Sequence, residues 1–505
     1  MLPFKSIFTK IQEIIWPIER EELKLFLPMA LMMLCILFNF GTLRSVKDGL
    51  IIPSIGAEVI SFLKLWFVLP SSILFTIIYV KLSNHIRFEY IFYIVISSFL
   101  LFFLIFAYII YPNQEFYHPN AEQVEHLVSL YPNFRWFIKI MGKWSYALMY
   151  VCAELWSAVI INLMFWQFAN NIFDTSKAKR FYPILGMVGN VGLILAGNVL
   201  VAFSNVRGVV DAQVIINEVI INEDWQYKSE LMLQPVISII VFVGIISMLL
   251  FRLINYLILN DEVLKADFQI VQIQAKTSLS LMDSIRLVIN SKYIGRIALL
   301  IICYALLINI VEGPWKAKVR ELNPNMLDYI HFMGRFNIWM GISSVTFMIV
   351  GSNVIRKFTW LISALLTPLM FLITGLMFFI FVIFSEYISF GIKDFNPIYV
   401  AVIIGGVQNI LSKSTKYSLF DSTKEMAYIP LSLELRTKGK AAVEVIGIKF
   451  GKSLGAFIQS FIFIIVPTAT CDSIVVYLLT IFIIIVILWF WNIVQLNREY
   501  VKLCN

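Results

Sequence analysis

Phe26-Leu-Pro-Met-Ala-Leu-Met-Met-Leu-Cys-Ile-Leu-Phe-Asn-Phe-Gly-Thr42 runs directly into Leu43-Arg-Ser-Val-Lys-Asp-Gly49. An apolar helix of membrane-spanning length thus ends on three charged residues. Charge at the end or inside of a span is costly, and it is retained for a substrate, an ion or a partner charge. Arg44 and Lys47 are three residues apart and Arg44 and Asp48 four, so all three can share one helical face. That face could hold phosphate oxygens. The plainer alternative is an Arg44–Asp48 pair at the membrane boundary, with Lys47 reaching toward headgroups.

The same apolar pattern recurs along the chain. Of 505 residues, 60% are hydrophobic, 15% aromatic and only 14% charged, a balance no soluble domain of this size could hide from water. Apolar runs of roughly 20 residues, the length a helix needs to cross the hydrocarbon core, fall near 26–42, 60–80, 90–111, 146–168, 182–203, 235–259, 297–311, 336–354, 360–384, 397–411, 443–466 and 474–494. The expected fold is an all-α integral membrane protein of about twelve transmembrane helices. Residues 1–24 are amphipathic, carry both signs of charge and lack the apolar core of a cleaved signal. Loops after even-numbered spans hold Lys81, Arg87, Lys177, Lys179, Arg180, Arg356, Lys357 and the lysines from Lys413 to Lys440. The loop after the fifth span is acidic, with Asp211, Glu218, Glu223, Asp224 and Glu230. The positive-inside rule then places both termini in the cytoplasm. It also accounts for most of the net charge of +8, so nucleic-acid binding has no separate support.

Cys35, Cys152, Cys303, Cys471 and Cys504 lack metal-ligand spacing and read as core residues or free thiols. Neither metal nor cofactor is implied.

The chain also repeats itself. Ser83-Asn-His-Ile-Arg87 matches Ser352-Asn-Val-Ile-Arg356, and the same offset sets Lys47 opposite Lys316. A nearby offset sets Ser176-Lys-Ala-Lys179 against Thr437-Lys-Gly-Lys440 and Gly186 against Gly447. Six spans repeated as six is the layout of major facilitator transporters, whose binding site lies between the halves near the midplane. The chain then divides into an amino-terminal half at 1–259, a linker at 260–296 and a carboxyl-terminal half at 297–505. Within the linker Leu279, Met282, Ile285 and Ile289 recur at helical spacing, as expected of an amphipathic helix on the cytoplasmic membrane surface.

Further charges mark the pathway. Glu312 and Lys316, in Val311-Glu-Gly-Pro-Trp-Lys316, are four apart and can pair. Gly313 and Pro314 between them are expected to break the helix, as transporters do to present backbone to a ligand. Trp315 is either a stacking face for a base or an interfacial anchor. Glu154, in Ala153-Glu-Leu-Trp156, has no basic residue within a turn, so it should pair with a cation of the first or eleventh span or stay protonated in the core. Lys449 and Lys452 lie in Gly447-Ile-Lys-Phe-Gly-Lys-Ser-Leu-Gly455, which falls one residue short of P-loop spacing and follows no strand. Glycines 447, 451 and 455 instead line one helical face for close packing, and Gly186, Gly189 and Gly192 can do the same in the fifth span. Lys413, Lys416 and Lys424, in a polar loop, could form an electropositive funnel.

Leu43-Arg-Ser-Val-Lys-Asp-Gly49, Ala153-Glu-Leu-Trp156, Phe165-Trp-Gln-Phe-Ala-Asn170, Lys179-Arg-Phe-Tyr182, Glu312-Gly-Pro-Trp-Lys316, Lys416-Tyr-Ser-Leu-Phe-Asp421 and Lys424-Glu-Met-Ala-Tyr-Ile-Pro430 resemble segments of the ATP/ADP translocase family of plastids and obligate intracellular bacteria. The resemblance extends from Trp16 to Tyr500. It implies a major-facilitator-like antiporter of the bacterial inner membrane, working as a monomer. Such a carrier exchanges host nucleoside triphosphate for diphosphate, with phosphate as a companion, and hydrolyses nothing. By motif it singles out Lys47, Glu154 and Glu312, with Lys440, Lys449 and Lys452 as a looser set. Arg44 is expected to support Lys47 on the phosphates, with Asp48 as its local partner, while Trp156 or Trp315 stacks on the base. Pro314 and Leu454 depart from the pattern of ATP exchangers, which leaves uptake of guanine or pyrimidine nucleotides as the alternative. A carrier of another phosphorylated or organic anion would use the same cations. A membrane transferase would want an Asp or His cluster, but His85, His118, His126 and His331 are scattered.

Overall fold

The structure is a computed structural model that describes residues 18–173, 175–205, 225–260, 291–388, 396–431 and 433–504. Among these residues there are helices and no strands, as lipid requires of an apolar chain that must satisfy its backbone internally. The principal helices are α1 (Leu23–Ser54), α2 (Val59–Ser83), α3 (Phe88–Ile110), α4 (Trp144–Ile172), α5 (Thr175–Ser204), α6 (Trp225–Asn260), α7 (Lys292–Leu322), α8 (Met326–Lys357), α9 (Trp360–Ile388), α10 (Pro397–Thr415), α11 (Leu433–Ile465) and α12 (Val475–Cys504). Each of the twelve apolar runs falls on one of them. Ten are long and apolar enough to cross a membrane. The other two are α10 and α11, whose polar ends leave shorter apolar stretches, Phe450–Ile465 in α11. The amphipathic amino terminus at 1–17 and the linker helix expected within 261–290 lie outside the described residues.

The packing follows a similar pattern in the two sets of six helices. In the first half α1 packs on α5 and α6, and in the second α7 packs on α11 and α12 in the same way. Small residues allow the close approach: a Cβ on Gly192 would lie 3.0 Å from the Phe38 nitrogen of α1, and one on Gly451 would lie 2.9 Å from the Ile302 oxygen of α7. Gly189 meets Leu37 of α1 and Gly455 meets Asn309 of α7, whereas Gly186 looks toward Met348 of α8. Among the described residues two seams join the halves, α5 and α1 against α8, and the start of α2 against α11.

These seams run toward the end that carries the α1–α2, α7–α8 and α11–α12 connections. There Glu58 Oε1 accepts from the Cys471 backbone N–H at 3.0 Å, Asn133 Nδ2 donates to the Ile464 carbonyl at 2.8 Å, and Ser204 Oγ meets His331 Nδ1 at 2.9 Å. Phe62 stacks on Phe463 across the same gap. Among the described residues this end of the molecule is closed by contacts between the halves.

Two sequence expectations fail in the fold. Gly313 and Pro314 do not break α7, which runs continuously from Lys292 to Leu322 with Pro314 inside it; proline is tolerated in a membrane helix when its neighbours satisfy the freed backbone groups. The polar loop is not a loop either. Lys413 belongs to α10, a wide π turn follows at Lys416–Phe420, and Asp421–Tyr428 is helical. Wide turns also occur at Leu63–Val68 in α2, Phe106–Ile110 in α3 and Ser157–Phe165 in α4. Such turns often mark functional positions. Here the first carries Lys64 and the third begins three residues after Glu154.

Candidate substrate site

The charges inside the spans converge in one cluster between the halves. Lys47 Nζ is 2.8 Å from Asp48 Oδ1 and 2.9 Å from Glu154 Oε1, and it sits 3.8 Å above the Tyr150 ring. Lys316 Nζ takes the other oxygen of Asp48 at 2.8 Å and lies 3.4 Å from Glu312 Oε1. The two lysines that the repeat places opposite each other therefore clamp a single carboxylate. Asp48 is fully buried and its lysine partners nearly so. Adjacent residues on a helix do not normally face each other, yet the Lys47 ammonium, seated over the Tyr150 ring, reaches the carboxylate of the next residue.

Glu312 gathers the remaining cations. Arg44 Nη2 reaches Oε1 at 2.8 Å, Lys64 Nζ reaches Oε2 at 3.1 Å, and Lys413 Nζ stands 3.6 Å from Oε1. Lys64 also donates to Asn309 Oδ1 at 2.8 Å. Among the described residues, five cationic side chains thus surround three carboxylates, a formal excess of two positive charges in a largely buried enclosure. Burying such charges is costly, and their mutual attraction repays it only when every partner is in place. A polyanion is the ligand that suits the excess. Of the cluster, Glu154 keeps the most accessible side chain, at 25%, against 18% for Lys64 and 3% for Lys47.

The pairs of Arg44 and Lys64 with Glu312, and of Lys316 with Asp48, cross between the halves. Asn337 of α8 adds hydrogen bonds to the Gly41 carbonyl and to Ser45 Oγ of α1. The site is therefore part of the seam, and anything that replaces these pairs loosens it.

Against the sequence expectations, the site assembles Arg44, Lys47, Glu154, Glu312 and Lys316 as a group. Glu154 finds its cation on the first span, in Lys47. Asp48 is not the partner of Arg44, because both its oxygens are taken by lysines while Arg44 turns to Glu312. Trp156 and Trp315 offer no open face in this conformation. Both are fully buried, Trp156 against Phe99 and Phe103, and Trp315 against Phe336 with its indole N–H donated to the Val402 carbonyl at 3.0 Å. Lys452 is exposed and acts on Glu154 only through space. The side chains of Lys440 and Lys449 lie outside the described residues. The expected funnel is not a row of free lysines: Lys413 is internal, and Lys416 and Lys424 flank Asp421 at 2.9 and 3.6 Å. Sequence reasoning passed over Lys64, although a lone lysine in the apolar run at 60–80 is the same kind of signal that exposed Glu154. Tyr150 and Asn309 carry no such signal.

The chain matches the model of the TLC ATP/ADP transporter family over residues 3–500. It is 69% identical to "ADP,ATP carrier protein 3" of Rickettsia conorii and 68% identical to the protein of that name in Rickettsia prowazekii, covering all of both chains in each case. It is 45% identical to "ADP,ATP carrier protein 1" of Rickettsia bellii, over 99% of this chain and 98% of that one. Among solved structures it is similar to a bacterial homologue of the iron transporter ferroportin, with a TM-score of 0.56 at 15% identity, covering 94% of this chain and 98% of that one. It is also similar to the Escherichia coli xylose transporter XylE, with a TM-score of 0.53 at 11% identity and the same coverage. These two likenesses establish a major-facilitator-like fold.

Proposed function

The chain belongs to the TLC ATP/ADP transporter family, and we propose that it exchanges ATP for ADP by alternating access across the inner membrane of an obligate intracellular bacterium. The observation that carries this reading is the excess of two buried positive charges at the meeting of the halves. Lysine and arginine neutralise a phosphate chain, and arginine can grip two oxygens at once. With no substrate, Glu312 and Asp48 hold the cations and tie the halves together. An arriving nucleotide presents its phosphates to Arg44, Lys47, Lys64 and Lys316, replaces the carboxylates and frees the halves to rock. The carrier then reorients when loaded and stays clamped when empty, which is the rule an exchanger needs.

The sealed end faces away from the cytoplasm in this reading, with both termini inside, supported by the lysines and arginines of Lys81, Arg87, Arg356 and Lys357 at the other end. The division into halves at 1–259 and 297–505 joined by a cytoplasmic linker is supported by the repeated packing of α1 and α7. The carrier works as a monomer in this reading, supported by a cluster whose described members all come from one chain.

The test is uptake into intact bacterial cells expressing the protein. Labelled ATP should accumulate, and it should leave again when unlabelled ATP or ADP is added outside, and not in plain buffer. Equal efflux in both conditions would refute exchange. Competition by GTP, CTP, UTP and sugar phosphates reads the specificity, and uptake of labelled ATP undiminished by excess ADP would also sink the proposal.

A further inference from the structure

Lys413 differs from the other four cations of the cluster. Arg44, Lys47, Lys64 and Lys316 each reach a carboxylate oxygen at 3.1 Å or less, whereas Lys413 Nζ comes no nearer than 3.6 Å to Glu312 and makes no hydrogen bond. Its ammonium is enclosed, so it does not reach water either. The Phe336 ring lies 5.8 Å away. Arg44 Nη1, on the same side of Glu312, faces only the thioether of Met340 at 4.0 Å, a weak acceptor. Two donors of opposite halves are thus poorly satisfied around one carboxylate oxygen.

The helix that carries Lys413 shows the same incompleteness. Gly405, Asn409 and Lys413 follow one another at intervals of four, so they form one stripe of α10. Gly405 presses against Trp315, which turns this stripe to α7 and the cluster. Asn409 Oδ1, one turn before Lys413, is a buried acceptor with no donor. Buried polar groups are normally hydrogen-bonded, and an ammonium that makes no hydrogen bond and only the longest contact with Glu312 gains little against the repulsion of the cations beside it. Such a group is retained for a ligand.

We propose that Lys413 is a substrate-binding residue of this carrier: its ammonium and Arg44 Nη1 together take phosphate oxygens of the incoming nucleotide, and Asn409 Oδ1 accepts from a hydroxyl or amino group of the same molecule. The inference rests on the nucleotide-exchange reading and adds to it a binding group from α10, so that cations of α1, α2, α7 and α10 close on one polyphosphate. The phosphate chain supplies the acceptor that Glu312, already shared among three other cations, cannot give.

The experiment uses the purified full-length carrier and its Lys413→Met and Lys413→Arg variants, with ATP, ADP and inorganic phosphate as probes. Thermal melting is followed across a range of each. Without nucleotide, Lys413→Met should melt at or above the parental midpoint, because a buried charge that makes no hydrogen bond is removed from a cluster already in positive excess. A purely structural lysine would give the opposite sign. With nucleotide, the concentration needed for a given upward shift should rise about 10- to 100-fold in Lys413→Met, the size of one charge-assisted contact, and Lys413→Arg should recover most of it. A parent shifted by no nucleotide overturns the exchange reading and this assignment together. A parent that is shifted, with a Lys413→Met variant shifted equally at equal concentrations, overturns the role of Lys413 alone. A Lys413→Met protein that melts well below the parent also overturns it, in favour of a structural role.

Discussion

Glu312→Gln isolates the balance on which exchange depends. The carboxylate has cations at 2.8, 3.1, 3.4 and 3.6 Å. At an effective dielectric of about 20, each such contact represents roughly 5 kcal/mol of Coulomb attraction before desolvation. Most of this offsets the cost of burying the ions, and removing one member of a buried pair leaves a net loss of about 3–5 kcal/mol. The glutamine keeps the shape and raises the positive excess from two charges to three. The empty variant should therefore melt well below the parent. Nucleotide should have the reverse effect: its phosphates no longer have to displace Glu312, so at equal concentration ATP should raise the melting midpoint of the variant by more than that of the parent. In proteoliposomes the clamp between α1 and α7 is weaker, so the share of preloaded nucleotide that leaves without a counter-substrate should increase. Melting with and without ATP, and efflux with and without chase, measure both. If ATP stabilises Glu312→Gln no more than the parent, the carboxylate does not compete with phosphate and the displacement mechanism is wrong.

Three further expectations follow from other parts of the fold. Lys47→Met strips Glu154 of its ion pair and leaves Asp48 with Lys316 alone, so stability should fall by about 3–5 kcal/mol, read as a lower melting midpoint; adding Glu154→Gln should restore part of the stability but none of the exchange, and fully additive losses would deny the coupling. Gly197 of α5 faces Gly334 and Ile338 of α8, where an added Cβ would press into the Gly334 carbonyl and lie 3.0 Å from the Ile338 nitrogen; Gly197→Ala should cost the sealed form about 1–3 kcal/mol, seen as faster maleimide labelling of Ser204→Cys at the sealed end, and unchanged labelling would mean that this seam does not open. His118 lies between α3 and α4, where burial and the Lys143 ammonium push its imidazole down to about 4. It stays neutral when folded while the unfolded chain takes up the proton, so stability falls as pH drops from 6.5 toward 4. His118→Gln should flatten the fall in melting midpoint over that window.

Hydropathy made the spans readable because lipid forces long apolar helices, and the repeat made Lys47 and Lys316 readable as counterparts. Pairing was harder. Arg44 and Asp48 have the right spacing to bond, yet tertiary partners on α7 outbid that local contact, and no helical rule ranks a distant carboxylate against a near one. Lys413 was legible as a cation of a polar loop, but its place inside the protein was hidden for another reason. The run Ser412-Lys-Ser-Thr415 has a loop's composition, but Thr415 Oγ1 donates to the Leu411 carbonyl at 2.8 Å and Ser414 Oγ bonds Ser343 Oγ at 3.0 Å. Hydroxyls that return to the backbone or to each other let a polar stretch stay helical inside the protein. The tryptophans show the converse limit. Their flat faces suggested stacking, but only packing reveals that Trp315 is wedged between α8 and α10.

The charge inventory also bears on why the carrier should accept both partners of an exchange. A formal excess of two is matched in charge by a single phosphate dianion, so charge alone does not favour a nucleotide. The spread of the cations over α1, α2, α7 and α10 favours a longer anion that can reach several of them at once. A diphosphate and a triphosphate meet that condition alike. The carboxylates set the other bound. They hold the empty cluster together through pairs that cross between halves, and a ligand must replace several of these at once to release the seam. Each replaced pair adds to the barrier for a ligand that reaches only one cation, because the partner left behind is a buried, unpaired charge. On the displacement mechanism proposed above, small anions should bind without freeing the halves, while either nucleotide should free them. Selection for exchange would then be made by how many cross-half pairs a substrate can span, with the nucleobase as a second, separate filter.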